Sequence, residues 1–482
     1  MKRMHKVILS FLIVGMTFYS CEKNDDSLNV PSNLEVQNFI WKGLNLYYLW
    51  QEDSPDLADD RFANQGELNN FLSNFNDPFV LFNDLRVDPS IDRFSVLVED
   101  YVYLENLFQG VTKNNGMEFT LRFKPGSQTD VYGVVNYIIP NSDAASKNLL
   151  RGNIFSGIDG QTLTIDNYQS LLSQETYTLN LANFDDGAIT PTGQSVTLVK
   201  SELTENPVFL TKIIPLENQK VGYLMYNGFT ANFDAQLNQA FGTLKSEGVN
   251  ELVLDLRYNG GGSVLTATRL ASMITGQFTG QLFAKQQWNS KIQAYFEENN
   301  PEQLVNNFTN TIGNSTINSL NLTRIYILTS GATASASELV INGLKPYIQV
   351  IQIGTKTVGK NVGSVTLYDS PTFNKEGVNP NHKYAMQPIV IKTVNKDGFG
   401  DYQNGILPTT EQAENPGNMG VLGEETEPFL NTALSLISGN ARFNPQVSKS
   451  FGKEFKNSKS LQRFGNEMYI PNDSGISIPN FK

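Results

Sequence analysis

Ser335 and Lys360 have the types and settings for nucleophilic catalysis. Ser335 sits in Thr329-Ser-Gly-Ala-Thr-Ala-Ser-Ala-Ser-Glu338, a run of small residues that opens a predicted helix. Lys360 closes Gly354-Thr-Lys-Thr-Val-Gly-Lys360, just after an apolar, strand-like stretch. A serine hydroxyl is a poor nucleophile until a base takes its proton. The chain has only two histidines, His5 and His382, so a Ser-His-Asp arrangement has almost nothing to draw on and a lysine is the natural base. A lysine can serve only when neutral, and burial favours the neutral form. Val350, Ile351, Ile353 and Val358 supply an apolar setting for it.

The chemistry also needs donors for a developing oxyanion. The first N–H groups of a helix have no partner within the helix, and they lie at its positive dipole end. Ala336 is the first such donor. Asp255-Leu-Arg-Tyr-Asn-Gly-Gly-Gly262 leaves a buried strand and enters a helix, so Gly261 or Gly262 offers a second. On that motif alone, an oxyanion donor and a plain tight turn are equally good readings. Ser337 lies two residues along the helix and points away from Ser335.

The elements that must hold these residues follow from hydrophobic spacing. Val36, Phe39, Ile40, Leu44, Tyr47 and Tyr48 predict a helix over Leu34 to Trp50, and a second is expected at Leu68 to Phe75. Residues 32–107 then form a small helical unit. Residues 108–204 read as short strands: Met117 to Phe123, Val131 to Ile139, an Asp159-Gly160 hairpin turn, and Ser195 to Val199. Brief helices are expected at Ala144 to Leu150 and Thr164 to Leu172. From 205 to 440 strands alternate with helices. The strands are Val221 to Phe229, Glu251 to Leu256, Arg324 to Leu328 and Ile348 to Ile353; the helices are Phe233 to Leu244, Val264 to Ile274 and Ala336 to Leu344. That alternation predicts a largely parallel βαβ core. Strands at Ser364 to Tyr368, Ala385 to Val394 and Tyr402 to Leu407 add an antiparallel region. Residues 441–482 read as a polar, solvated tail.

The run Pro140-Asn-Ser-Asp-Ala-Ala145, Leu150, Gly152-Asn-Ile154 and Ile158-Asp-Gly160 resembles a PDZ domain of the bacterial protease type. Asp255 to Gly262, Thr333-Ala-Ser-Ala-Ser-Glu338 and Val358-Gly-Lys-Asn361 together resemble the tail-specific, or C-terminal processing, serine proteases of peptidase family S41, over roughly residues 108 to 412. The resemblance implies an α/β multidomain fold: a helical N-terminal unit, a PDZ-like β-rich domain, and a ClpP/crotonase-like βαβ core with an additional β region. It implies Ser335 as nucleophile and Lys360 as base, with Ala336 and Gly261 or Gly262 as the oxyanion hole. Glu338 then either orients the dyad or simply sits as a first-turn acid at the helix dipole. The family often braces its lysine with a glutamine four positions later. Here that position is Ser364, and Asn361 replaces the glycine after the lysine. PDZ domains add a peptide to a sheet edge and hold its carboxylate on backbone N–H groups. The expected cradle is Gly116-Met117-Glu118-Phe119, where Glu118 disfavours a terminal carboxylate. The implied activity is endopeptidase cleavage near the C-termini of exported proteins, without a cofactor.

Composition narrows the alternatives. The 482 residues carry a net charge of −12, which argues against nucleic acid as a partner, since no basic surplus exists to neutralise phosphates. Lys2, Arg3 and Lys6 precede an apolar run from Val7 to Phe18, then Ser20-Cys21 and a polar segment. This resembles a bacterial lipoprotein signal (residues 1–20) with Cys21 lipidated and residues 21–31 as a tether, although Phe18 stands where such signals usually have Leu. The expected location is the bacterial cell envelope, anchored by lipid at the outer membrane. A single cysteine excludes disulfides and thiolate metal sites, and no His-x-x-x-His pair suggests a metal centre. Gly354-x-x-x-x-Gly359-Lys360 imitates a nucleotide-binding loop, but Asn361 replaces the required hydroxyl and the following residues read as strand. The other class of function is a non-catalytic, peptide-binding lipoprotein on a protease fold.

Overall fold

The structure is a computed structural model that describes residues 30–439, 451–461 and 464–471. The leader, Cys21 and most of the tether lie outside the described residues. Among the described residues no helix is long and apolar enough to cross a membrane.

The core is a six-stranded sheet in the order Val208–Leu216, Gln219–Tyr226, Glu251–Asp255, Arg324–Thr329, Gln349–Gly354, Thr410–Glu411. The first pair is antiparallel and every later pair is parallel. Strands covered on both faces read as unbroken apolar runs, which is why Leu252-Val253-Leu254 and Ile325-Tyr-Ile-Leu328 show no alternation. The crossover helices are Asp234–Ser246, Val264–Thr275 and Ala336–Leu344. All nine residues of Ala336–Leu344 are buried, so the nucleophile helix runs through the interior.

Three further layers surround this sheet. The helix Glu35–Tyr47 buries Phe39, Ile40, Leu44 and Tyr47 in the same hydrophobic cluster as the core, so the N-terminal unit shares that core instead of having its own. A β-rich unit contains Met117–Phe123, Val131–Ile138, Ile154–Ile158 and the long hairpin Thr176–Asp185/Ala188–Val199, with the helix Tyr168–Ser173 alongside. A second six-stranded sheet runs Gly262–Ser263, Met468–Tyr469, Val362–Ser364, Ile389–Asn395, Leu282–Trp288, Val305–Asn307.

Several expectations are corrected. Tyr402 to Leu407 is not a strand: Gly405 sits at φ 91° and donates to the Tyr402 carbonyl at 2.8 Å, closing a turn. Ala144 to Leu150 holds only the single 3-10 turn Ala144–Ser146. Ser364 to Tyr368 divides between two sheets, with Val362–Ser364 in one and Leu367–Tyr368 in another. The tail is not a solvated appendage over its described residues. Glu454–Asn457 joins the β-rich unit, and Met468–Tyr469 joins the second sheet with Met468 fully buried.

Candidate active site

The strand Glu251–Asp255 ends in a turn that a buried ionic network holds. Arg257, wholly buried, bonds Asp255 through Nε and Nη2 and reaches Glu427 (2.8 Å) and Glu414 (3.0 Å) through Nη1. Tyr223 donates its hydroxyl to Asp255 at 2.7 Å. Charges removed from water need this degree of pairing to be tolerated. Beyond Arg257, Asn259 joins the turn to the nucleophile loop. Its carbonyl accepts from Ala334 N and from Ser337 Oγ, both at 3.1 Å, and its side chain accepts from Gly261 N at 2.9 Å. Ser337 is thus turned away from Ser335, as its helical position requires.

The two glycines therefore differ. Gly261 N is used within the turn, whereas Gly262 N points outward and donates to the Glu467 carbonyl at 2.5 Å. Gly261 is there for proximity. A Cβ on it would lie 2.5 Å from Ser335 Cβ and 3.0 Å from Ala336 N, and its φ is 111°. The glycine turn and the start of the nucleophile helix are in contact.

Ser335 occupies the left-handed region at φ 66°, ψ −118°, immediately before the helix. A non-glycine residue held there costs about 1–3 kcal/mol and persists only when its surroundings fix it. Glu338 supplies that fixing. Its Oε2 accepts from Ser335 N and from Lys360 N, each at 2.8 Å. Its Oε1 accepts from Gly359 N (2.7 Å) and Thr357 Oγ1 (2.5 Å). Burial raises the Glu338 pKa, and these four donors oppose that rise. The carboxylate serves the backbone, so the Ser335 hydroxyl is left buried without a hydrogen-bond partner.

Lys360 is fully buried. Burial lowers its pKa, while Glu467 and Asp92 oppose the shift. Its ammonium bonds the Asn466 carbonyl (2.8 Å) and Glu467 Oε2 (3.0 Å), and it lies 4.6 Å from the centre of the Phe94 ring. Arg93 clamps the adjacent Gly359 carbonyl at 2.6 Å. Ser335 and Lys360 are brought onto one carboxylate oxygen through their backbones, but their side chains are not bonded to each other. Ser364, at the position of the family's bracing glutamine, bonds Gln387 instead (2.5 Å). After Lys360 the chain forms the strand Val362–Ser364, and a nucleotide-binding loop would need a helix there.

Gly116, Met117, Glu118 and Phe119 lie at the start of Met117–Phe123, which bears the tail strand Glu454–Asn457 on its edge. Glu118 is buried and its pKa is pushed up to about 7, chiefly by burial. It accepts from Ser458 Oγ. His382 lies in a loop against Asp369 at 2.9 Å. The site residues that sequence did not reveal are Phe94, Arg93, Thr357, Asn259, Asn466 and Glu467. Of these, Asn259 and Thr357 stand inside the motifs already singled out.

Residues 220–384 match the profile of peptidase family S41, and residues 35–96 match the peptidase S41 N-terminal domain. The chain carries peptidase family S41 domains. Among S41 relatives, it is 27% identical over 383 residues to the chloroplastic C-terminal processing peptidase of Tetradesmus obliquus, covering 73% of each chain. It is 25% identical over 242 residues to a carboxyl-terminal-processing protease of Picosynechococcus sp., and there it spans about half of the relative's length (53%). The crystal structure of a candidate S41 protease from Bacteroides fragilis superposes with a TM-score of 0.65 at 28% identity, over 84% of this chain and 97% of that one. The S41 match places the N-terminal helices, whose role composition alone did not disclose, within the family's own architecture.

Proposed function

We propose that this S41 chain is a serine endopeptidase in which Ser335 is the nucleophile and Lys360 the base. Neutral Lys360 takes the Ser335 proton as Oγ attacks the scissile carbonyl carbon. The oxyanion receives N–H bonds from Gly262 and Ala336 at the positive end of the Ala336–Leu344 helix. The lysine ammonium returns its proton to the leaving amine, and water then hydrolyses the acyl-enzyme by the same route. Gly262 is the better glycine donor, because Gly261 N is bonded within the turn. Glu338 is a positioning residue, since it touches backbone amides and not reacting atoms.

The single observation that supports this reading most is the Glu338 oxygen shared by Ser335 N and Lys360 N, with a free hydroxyl beside it. A fully buried lysine close in the fold to a strained serine is costly to maintain for packing alone.

The β-rich unit is read as PDZ-like, holding an extended peptide on the Met117–Phe123 edge near Gly116 to Phe119. The substrates are then exported proteins cleaved near their C-termini, and Cys21 is the lipid anchor to the cell envelope. The peptide groove rests on resemblance and on the edge pairing seen at Met117–Phe123; the substrates and the anchor rest on resemblance alone.

The test is hydrolysis of reduced, carboxymethylated casein and of C-terminal-tail peptides. Ser335→Ala and Lys360→Ala are each expected to reduce cleavage by at least about 10³-fold, Ser335→Ala with unchanged thermal unfolding and Lys360→Ala still folded by circular dichroism. Retained cleavage by Ser335→Ala refutes the assignment. Absence of cleavage by every form, with peptide binding intact, makes the protein a binding lipoprotein instead.

A further inference from the structure

The tail of this chain follows the path a substrate would need. Glu454–Asn457 adds antiparallel to the edge of Met117–Phe123, pairing Glu454 with Arg122 and Asn457 with Thr120. Phe455 lies between Phe123 (ring centres 5.2 Å apart) and Tyr168 (5.1 Å) on the neighbouring helix. Ser458 continues the pairing through Phe119: its N donates to the Phe119 carbonyl at 2.9 Å and its Oγ accepts from Phe119 N at 3.1 Å. Strand addition with a side chain held between sheet edge and helix is how such grooves take peptides.

Further on, the same tail enters the catalytic cleft. Met468–Tyr469 runs parallel to Gly262–Ser263, and Ile470 N bonds the Ser364 carbonyl at 3.0 Å. Between these anchors, Asn466 and Glu467 meet the machinery directly. The Glu467 carbonyl accepts from Gly262 N, and its carboxylate pairs with Lys360 at 3.0 Å.

Each requirement of the proposed chemistry is thereby blocked. The glycine donor holds a ground-state carbonyl. The lysine amine is held by the Glu467 carboxylate at 3.0 Å, which favours the ammonium form against the lowering by burial and occupies the amine that would take the serine proton. The groove that would receive a peptide already contains one. A substrate would bring the first and third features, but the carboxylate on the base distinguishes an inhibitor from a substrate.

We propose that the described tail residues, 454–461 and 464–470, are an intramolecular inhibitor that mimics bound substrate, with Glu467 as the group that disarms Lys360. This rests on the dyad reading given above. Turnover then requires an extended peptide to displace the tail from the Met117–Phe123 edge and the cleft. A tethered segment competes at an effective concentration on the order of millimolar, so weak ligands are excluded and multivalent or abundant unfolded segments are favoured.

The test uses the full chain with two tail variants, Met468→Asp and Glu467→Ala, and two readouts. In the first, casein hydrolysis by each variant is expected to exceed wild type by at least about tenfold, equivalent to about 1.4 kcal/mol. In the second, a fluorescent synthetic peptide of residues 451–471 is titrated onto chains that also carry Ser335→Ala. It is expected to bind the Met468→Asp form at least about tenfold more tightly than the form with an intact tail. Equal peptide affinity with and without the intact tail overturns the proposal. So does a purified wild-type chain that ends at Glu467, which would make the tail a substrate. Tighter binding with no hydrolysis by any variant leaves the tail in its groove and refutes the dyad instead.

Discussion

Ser335 and Lys360 share one oxygen atom. The backbone N–H of each donates at 2.8 Å to Glu338 Oε2. Residues from a helix start and from a loop beyond the next strand are fixed together by a side chain three positions from the nucleophile. The strained backbone of Ser335 and the placement of Lys360 therefore depend on the same carboxylate.

Glu338→Gln puts an amide N–H where backbone donors now point. At least one of the four donors loses its acceptor in a buried site, which costs about 1–3 kcal/mol of stability. Misplacing the serine by about 1 Å is expected to lower kcat about 10²-fold. Urea unfolding and steady-state peptide hydrolysis read the two effects. A fall in stability with kcat unchanged would show Glu338 to be structural only.

The rate should rise with pH through the lowered pKa of Lys360, because only the neutral amine is a base. Glu467 is the largest influence opposing that lowering, ahead of Asp92, while Arg93 adds to it. Glu467→Ala should therefore move the rising limb of the pH–rate profile to lower pH. Stability carries the same sign. Between the lowered pKa and the ordinary lysine value the folded chain binds fewer protons than the unfolded chain, so Lys360 makes stability climb with pH across that window. A profile that moves to higher pH in Glu467→Ala contradicts the assignment of the base.

Gly261→Ala places a methyl group 2.5 Å from Ser335 Cβ and 2.5 Å from the Glu467 carbonyl, at a φ of 111° that L-residues avoid. Hydrolysis is expected to fall at least about 10²-fold through displacement of the nucleophile. Wild-type kcat in this variant would mean that the turn and the serine do not touch during catalysis.

Arg257→Met leaves Asp255 without its cation, while Glu414 and Glu427 keep only Arg151 at 2.6 and 3.7 Å. Removing one partner from a buried ionic group costs about 3–5 kcal/mol. Chemical denaturation should show that loss. Activity should fall with it, since the turn bearing Gly262 loses its anchor. A change below about 1 kcal/mol would show that water reaches these carboxylates.

The core was legible because its information is local. Leu252-Val-Leu254 and Ile325 to Leu328 announce strands buried on both faces, and Ala336 to Leu344 forms over the bounds its apolar spacing indicates. The Asp255 to Gly262 and Ser335 to Glu338 runs carry their chemistry within a few residues, so their members could be named, although which glycine donates needed the Asn259 side chain. Glu467 could not be found in this way. It lies more than a hundred residues beyond Lys360, just before the two-residue strand Met468–Tyr469, too short for any alternation to reveal it. The polar character of the tail suggested solvent, but its polar groups are bonded: Glu454 to Arg122, Ser458 to Glu118 and Lys459 to the Asn227 carbonyl. Tyr402 to Leu407 was misread for the opposite reason, because an apolar pattern there was overridden by the turn at Gly405.

The most direct measurement is the mass-spectrometric location and rate of a covalent adduct formed by a serine-directed fluorophosphonate on the full chain carrying Glu467→Ala. Ser335 Oγ would form the phosphorus–oxygen bond as fluoride leaves and Lys360 accepts the proton. A single adduct on the peptide containing Ser335, formed at least about 10²-fold more slowly when Lys360→Ala is added, is the expected result. An adduct on another residue, or an undiminished rate without Lys360, would contradict the dyad.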